Sequence, residues 1–359
     1  MNLKKLYLST AILAVLAFIT YFLKNNDSPK VQDQRVGSPI LANAQLDKVS
    51  TLEMISGSES MTFIRQDGNW LLQERYQLPA DPKQIANLIK QLKDTTLERV
   101  ASKNPERISD FGFGIDYINL LAEDGASVLS LDLGRETESG KQLVRFGEEE
   151  IAFVASEAFG VNGDPVSWLK KSLVSLDRDQ IRTLKVSLLD GSSLELSRES
   201  EDEDWMATSE LPEGMTLDQA AIDRAIGRVS QLNFVNLAEL DDPEVLAAAA
   251  NQVSVTLTMS DETNYTFEIG RRPEVRVEKQ VETTNEDGEK ISEKQEEVET
   301  PAGPVYVKIE SSKADDPLNK YMDQTAFATT STLFTAFPES IEGFLKKAPS
   351  DSEEPGEEE

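Results

Sequence analysis

Short patterns in the first half of this chain recur in the same order in the second half. That order constrains the fold more than any single motif. Leu46-Asp47-Lys48-Val49-Ser50-Thr51-Leu52 resembles the stretch Leu176 to Leu184, with a small length difference. Trp70 ends a strand–turn–strand pattern, and Trp205 ends another 135 residues later. Leu133-Gly134-Arg135 matches Ile269-Gly270-Arg271 at an offset of 136. Phe153-Val154 matches Tyr306-Val307, and Trp168-Leu169-Lys170-Lys171 matches Phe344-Leu345-Lys346-Lys347. The offset grows along the chain, which puts insertions in the second copy, one of them at 273–301. Ordered self-similarity of this kind predicts two units built on one supersecondary plan.

Within each unit the apolar periodicity switches between two and 3.6. Leu52 to Ile55, Met61 to Arg65 and Trp70 to Gln73 alternate as strands, with Gly57 and Asp67-Gly68 as turns. A helix starts at Pro82 with Asp81 as its N-cap, and Ile85, Leu88, Ile89 and Leu92 form one stripe. Its counterpart starts near Asp218, with Ile222, Ala225, Ile226, Val229 and Leu232. Strand pairs follow at Tyr117 to Ala122 with Val128 to Leu133, and at Val253 to Met259 with Tyr265 to Ile269. A last strand (Ile151 to Ala155, Val305 to Ile309) and a closing helix complete each unit. The insert reads as a charged β-hairpin around Asn285-Glu286-Asp287-Gly288, too poor in apolar residues for a core of its own. The fold class expected is α+β, with mainly antiparallel sheets.

Both ends have a different character. Leu6 to Leu23 is apolar and uncharged. As a helix it is about 27 Å long, close to the roughly 30 Å hydrocarbon core of a bilayer. Tyr7 and Tyr21 sit near its ends, where amphipathic rings prefer the headgroups. A polar cleavage region is missing after Val15-Leu16-Ala17, so the span reads as an uncleaved anchor in the lipid bilayer. The expected organisation is a short cytoplasmic start and transmembrane anchor over 1–24 and a polar tether over 25–45. The first repeat then covers 46–172, the second 173–347, and a disordered acidic tail 348–359. The large domain is expected on the periplasmic side of a bacterial inner membrane.

The chemistry is bounded by what the chain lacks. With no cysteine and no histidine, thiol nucleophiles, imidazole bases and Cys/His metal sites are excluded, and no metal or other cofactor is expected. A net charge of −29 argues against a nucleic-acid partner. Asp110-Phe111-Gly112 has no phosphate loop near it and reads as packing between turn glycines. Ser167-Trp168-Leu169-Lys170 fits Ser-x-x-Lys, which puts hydroxyl and amine on one helix face. Its companion signatures are absent, and a lysine snorkelling beside Trp168 accounts for it. The acid clusters Glu148 to Glu150, Glu201 to Asp204, Asp241-Asp242 and Asp315-Asp316 read as solvated faces, and 283–288 fails the calcium-loop pattern at its first and twelfth positions. Trp70, Trp168 and Trp205 are candidates for interaction or packing; recurrence of two of them at matching places favours the core.

The anchor, Trp70-Leu71-Leu72, Leu78-Pro79-Ala80-Asp81 into a helix, Phe111-Gly112-Phe113-Gly114, Asp124-Gly125, Leu133-Gly134-Arg135 and Trp168-Leu169-Lys170-Lys171 follow one another in order. In this order they resemble a bacterial family of anchored envelope proteins known only as a domain of unknown function. The chain departs from that family where Ile115-Asp116-Tyr117 replaces a usual proline, and in its hairpin and tail. The resemblance implies an auxiliary role beside gliding-motility-type ABC transporters, hence a protein partner in a membrane complex, and it implies no catalytic residue. The expectation is therefore a non-catalytic accessory or scaffold protein. The alternative is a tethered binding module for cell-wall polymer or polysaccharide.

Overall fold

Alternating apolar residues build the first sheet. The structure, a computed structural model, describes residues 33–42, 44–158, 160–284 and 290–348. In the first unit, β1 (Val49–Ser56), β2 (Glu59–Gln66) and β3 (Asn69–Leu72) form a meander, followed by β4 (Leu78–Pro79) and helix α1 (Pro82–Asp94). Then come β5 (Leu97–Ser102), α2 (Pro105–Ser109), β6 (Asp116–Ala122), β7 (Ser127–Glu136), β8 (Gln142–Phe146) and β9 (Ala152–Ala155). The sheet order is β4-β3-β2-β1-β6-β7-β8-β9-β5, with antiparallel pairing throughout. Leu52, Met54, Met61, Phe63, Ile118, Leu120, Leu131 and Leu133 are all buried, which fixes the register, since a one-residue slip would turn them to solvent.

The second unit begins at Leu169. It contains β10 (Ser172–Ser175), β11 (Ile181–Ser187), β12 (Ser193–Ser197), β13 (Met206–Ala207), β14 (Met215–Leu217), α3 (Gln219–Ser230), β15 (Gln231–Asn233) and β16 (Asn236–Ala238). After α4 (Pro243–Ala249) follow β17 (Gln252–Met259), β18 (Asn264–Arg271), the hairpin strands β19 (Val275–Thr284) and β20 (Lys290–Thr300), and β21 (Val305–Ser311). Helix α5 (Pro317–Met322), β22 (Ala326–Thr329), α6 (Ser331–Phe334) and β23 (Leu345–Lys347) complete it. The large sheet runs β13-β12-β11-β17-β18-β21-β22-β16, while β10 pairs β15 and β14 pairs β23. Fold class is α+β with two large antiparallel sheets.

The hydrogen-bond registers let the units be compared residue by residue. Leu52 pairs with Phe63 and Leu120; Leu184 pairs with Leu196 and Leu257. Asp81 caps α1 by accepting from the Lys83 amide, and Asp218 caps α3 by accepting from the Ala220 and Ala221 amides. In α1 the residues Ile85, Leu88 and Leu92 are buried, with Ile89 at the half-buried margin of the stripe. Gly134 and Gly270 occupy like positions on β7 and β18. A Cβ on Gly134 would lie 2.7 Å from the Phe111 carbonyl oxygen, and one on Gly270 would lie 2.7 Å from the Ala248 carbonyl carbon. Only glycine lets these strands approach the ends of α2 and α4 so closely.

Four expectations need correction. The last strand of the first unit, β9, corresponds in sheet position to β22; Val305–Ser311 corresponds to β8, so the Phe153-Val154 match belongs with Phe327-Ala328. The closing helix is absent: Trp168 ends a 3-10 turn (Pro165–Trp168), and the chain goes extended into β10. The boundary consequently falls at Trp168/Leu169, because β10 pairs within the second unit. Residues 33–42 are not a free tether: Ile40 and Leu41 are buried, and the amides of Gly37 and Ile40 bond the carbonyls of Leu97 and Thr95.

Among the described residues no helix is long and apolar enough to cross a membrane. The expected anchor, with Leu6, Tyr7, Tyr21 and Leu23, lies outside the described residues, as do the Asp-Gly turn of the hairpin and the acidic stretch 349–359. The hairpin forms a separate two-stranded sheet, with ion pairs such as Lys294–Glu278 at 2.6 Å and with Val275 and Val298 exposed.

Candidate functional site

Helix α3 buries Ile222, Ala225, Ile226 and Val229, so its other face must be polar. That face carries Asp223, Arg224, Gly227 and Arg228, and it lines a cleft of about 870 Å³ in the second unit. The cleft is bordered by Arg178, from the 3-10 turn Arg178–Gln180, and by Thr332, Thr335, Ala336 and Pro338 at and after α6. Gly343 and Phe344 complete it. A Cβ on Gly343 would sit 2.8 Å from Cγ of Pro338, so the stiff proline ring there requires glycine opposite.

Arginine dominates the electrostatics. The Arg178 guanidinium lies 3.8 Å from the Asp223 carboxylate, its one ion pair among the described residues. Arg224 and Arg228, exposed and four residues apart on one helix face, have no carboxylate partner among the described residues. Behind them Arg198 donates to the Arg178 carbonyl at 2.6 Å and lies 4.7 Å from the centroid of the Trp205 ring. Burial, together with the Arg182 charge and more weakly that of Arg178, lowers the pKa of Arg198, while the carboxylates of Asp223 and Asp179 oppose this. A concentration of guanidinium groups in a chain of net charge −29 runs against the protein's own field. It fits an anionic group, which guanidinium forks bind in bidentate fashion.

The first unit lacks this feature. Aligning the caps Asp81 and Asp218 puts Asn87 opposite Arg224 and Gln91 opposite Arg228. The cleft lining has one carboxylate, Asp223, already engaged by Arg178. Its guanidinium groups can hold an anion, and among the described lining residues Asp223 is the carboxylate.

The sequence-derived candidates separate. Trp168 is buried, its indole N–H donating to the Asn162 carbonyl at 2.8 Å and its ring 5.8 Å from Phe63. Trp205 is buried under Arg198. Trp70 is half-buried on β3, opposite Arg65. The carbonyls of Trp70 and Trp168 accept the successive amides of Ala80 and Asp81, so these two meet through their backbones. Trp205 belongs to the other unit. Ser167 Oγ donates to the Asp164 carbonyl at 2.6 Å, and no helix carries it onto a face with Lys170. Among the acid clusters, Asp242 and Asp316 are helix caps and Glu149 pairs with Arg35 at 2.8 Å. No group of three acids among the described residues is placed to hold a metal ion. Sequence reasoning missed the arginines. The one available signal was Arg224 and Arg228 at i, i+4 on the polar face of an amphipathic helix.

A family model described as a domain of unknown function (DUF4340) matches residues 70–252, from β3 of the first unit to the start of β17 in the second. No curated protein and no solved structure matches the chain.

Proposed function

This chain belongs to the DUF4340 family, and on that premise we propose that it is a non-catalytic, membrane-anchored envelope protein whose second unit recognises an anionic group. In this reading Leu6–Leu23 holds the protein in a bacterial inner membrane, with the folded units in the periplasm. It serves as an accessory or scaffold of a membrane complex of the ABC-transporter type. The two units are copies of one ancestral unit; the common strand order and the paired caps support this. The observation that carries the functional reading is the cleft of Arg178, Arg224 and Arg228. It offers charge recognition and a hydroxyl-bearing wall, with its one acid tied up.

The test is a pull-down from native membranes in mild detergent, with wild type and an Arg224→Gln/Arg228→Gln variant. The expected result is recovery of transporter subunits by wild type and a marked loss with the variant. Repeated recovery of no membrane-complex subunit by either would overturn the reading. A second reading, a tethered module for an anionic wall polymer, is favoured by the spacing of Arg224 and Arg228 one turn apart along the cleft wall of α3. Retention of the protein on purified wall material, lost in the same arginine variant, would select it.

A further inference from the structure

The two units differ where the chain leaves the short helix and rejoins the sheet. The Phe111 carbonyl accepts the Arg135 amide, and the Asn251 carbonyl accepts the Arg271 amide, so Phe111 and Asn251 correspond. Asp116 pairs with Leu133 as Val253 pairs with Ile269, which leaves Gly112-Phe113-Gly114 of the first unit without a counterpart. Both glycines are left-handed, at φ +77° and +87°, and they fold Phe113 back onto β7. A Cβ on Gly134 would lie 2.9 Å from the Phe113 ring, whose centroid is 5.0 Å from the Arg145 guanidinium. Arg145 Nε in turn donates to Asp132 at 3.1 Å.

The second unit has the same seat without a ring of its own. By register Gly270 stands for Gly134, Lys308 for Arg145 and Glu268 for Asp132. These residues line a pocket of about 110 Å³, walled by Val245 and Ala248 of α4 and by Met322 and Ala326. Aliphatic cavities of roughly 150 Å³ take benzene. The pocket therefore suits a ring that stays partly outside, as the half-buried Phe113 does. Leu240, which also lines it, is 44 % exposed. Lys308 and Glu268 are register partners but form no ion pair among the described residues, whereas Arg145 and Asp132 do.

We propose that this pocket receives one aromatic side chain of a partner polypeptide, with basic residues beside the aromatic one. Phe113 supplies the pattern for the ring, and Lys308 takes the place of Arg145 as the cation near its face. Charge selects the flanks. Leu240 lies between Glu239 and Asp241, and Glu268 has no cation of its own among the described residues. Tyr306, in the lining, has its pKa raised by burial and then by the carboxylates of Asp242 and Glu244, so their field reaches the pocket. Such a rim repels an acidic segment and attracts a basic one. The pocket shares no lining residue with the arginine cleft, and the proposal does not depend on that cleft.

The buried Met322 is the reporter. Full-length protein in detergent, 13C-labelled at its methionine methyls, is titrated with acetyl-Lys-Phe-Lys-amide; Met322→Leu assigns the signal. The expected result is a saturable ring-current shift of Met322. Alanine in place of the peptide's phenylalanine abolishes the shift, and glutamates in place of its lysines weaken binding about tenfold. Ala249→Phe, at an exposed lining position, puts the protein's own ring at the mouth and also weakens binding about tenfold. Arg224→Gln/Arg228→Gln leaves binding unchanged, and phenol, the free ring, binds about tenfold more weakly than the peptide. No Met322 shift with any ring-bearing probe overturns the proposal. Phenol binding as tightly as the peptide overturns the polypeptide occupant, and equal affinity for the lysine and glutamate peptides overturns the basic flanks. Peptide binding lost in the double arginine variant, or unaltered in Ala249→Phe, places the ring elsewhere and overturns the site.

Discussion

The backbone amide of Asp218 donates to the carbonyl of Phe344 at 2.8 Å, and the amide of Asp81 donates to the carbonyl of Trp168 at 2.7 Å. Each aspartate also caps a helix through its side chain, so one residue ties the helix start to the segment that closes its unit. Asp218→Ala removes the side-chain bonds and keeps the backbone one. It should cost about 1 kcal/mol, the usual value of an N-cap, and Asp218→Asn much less. Urea denaturation followed by circular dichroism measures both.

Gly270→Ala drives a methyl group into the Ala248 carbonyl, and Gly134→Ala drives one into Phe111 and the Phe113 ring. Backbone atoms line both positions, so the strands must move. Each change should destabilise by about 1–3 kcal/mol, in the range of core overpacking. A denaturation midpoint equal to wild type for either variant would contradict the close-approach argument.

The β6–β7 and β17–β18 turns share one hydrogen-bond pattern, yet their left-handed position is Gly125 (φ +80°) in one and Glu262 (φ +64°) in the other. A left-handed L-residue costs roughly 1–2 kcal/mol, and glycine costs about 0.5–1 kcal/mol in chain entropy. Glu262→Gly should therefore stabilise by about 0.5–1 kcal/mol, and Gly125→Ala should do the reverse. Thermal melts of the two variants side by side give the sign.

In the same turn Asp261 is held at about 2, below its ordinary 3.8, by hydrogen bonds from Thr263 and then by Lys313 at 3.1 Å. A depressed carboxyl pKa contributes stability in full above about pH 4 and loses it as pH falls toward 2. The stability gap between wild type and Asp261→Asn should thus be constant near neutrality and shrink between pH 4 and 2. A carbon-detected titration of the Asp261 carboxyl should show its midpoint near 2.

The buried tryptophans should respond differently to phenylalanine. Trp168→Phe strands the Asn162 carbonyl, which accepts the indole N–H. The Trp205 indole N–H has no partner among the described residues, so Trp205→Phe removes an unsatisfied donor. The first should cost more by about 1 kcal/mol, measured as the difference in unfolding free energy.

Strands that show one face to the core were legible from their alternation. β1, β2, β6 and β17 lie where the pattern puts them, and α1 starts at Pro82 behind its Asp81 cap. β9 also lies where the sequence puts a strand, at Ile151 to Ala155, but β22 escapes the pattern and β9 is matched to β21 in its place, because all four residues of β9 and of β22 are buried. A strand covered on both faces has no alternation to read, and short apolar runs look alike. The 3-10 turn at Pro165–Trp168 was taken for a helix because four residues cannot distinguish the two periods.

The cleft was beyond such reading. Arg178 comes from a turn, Arg224 and Arg228 from α3, and Thr332 and Thr335 from the region of α6 more than a hundred residues on. By itself the sequence determined the alternation, the caps, the glycine turns and the excess of acid, because these are local properties of neighbouring residues. Only tertiary structure decided which strands became neighbours and what brought Arg178, Thr332 and Thr335 to the arginines of α3. Those outcomes depend on chain closure over long separations, to which local pattern is blind.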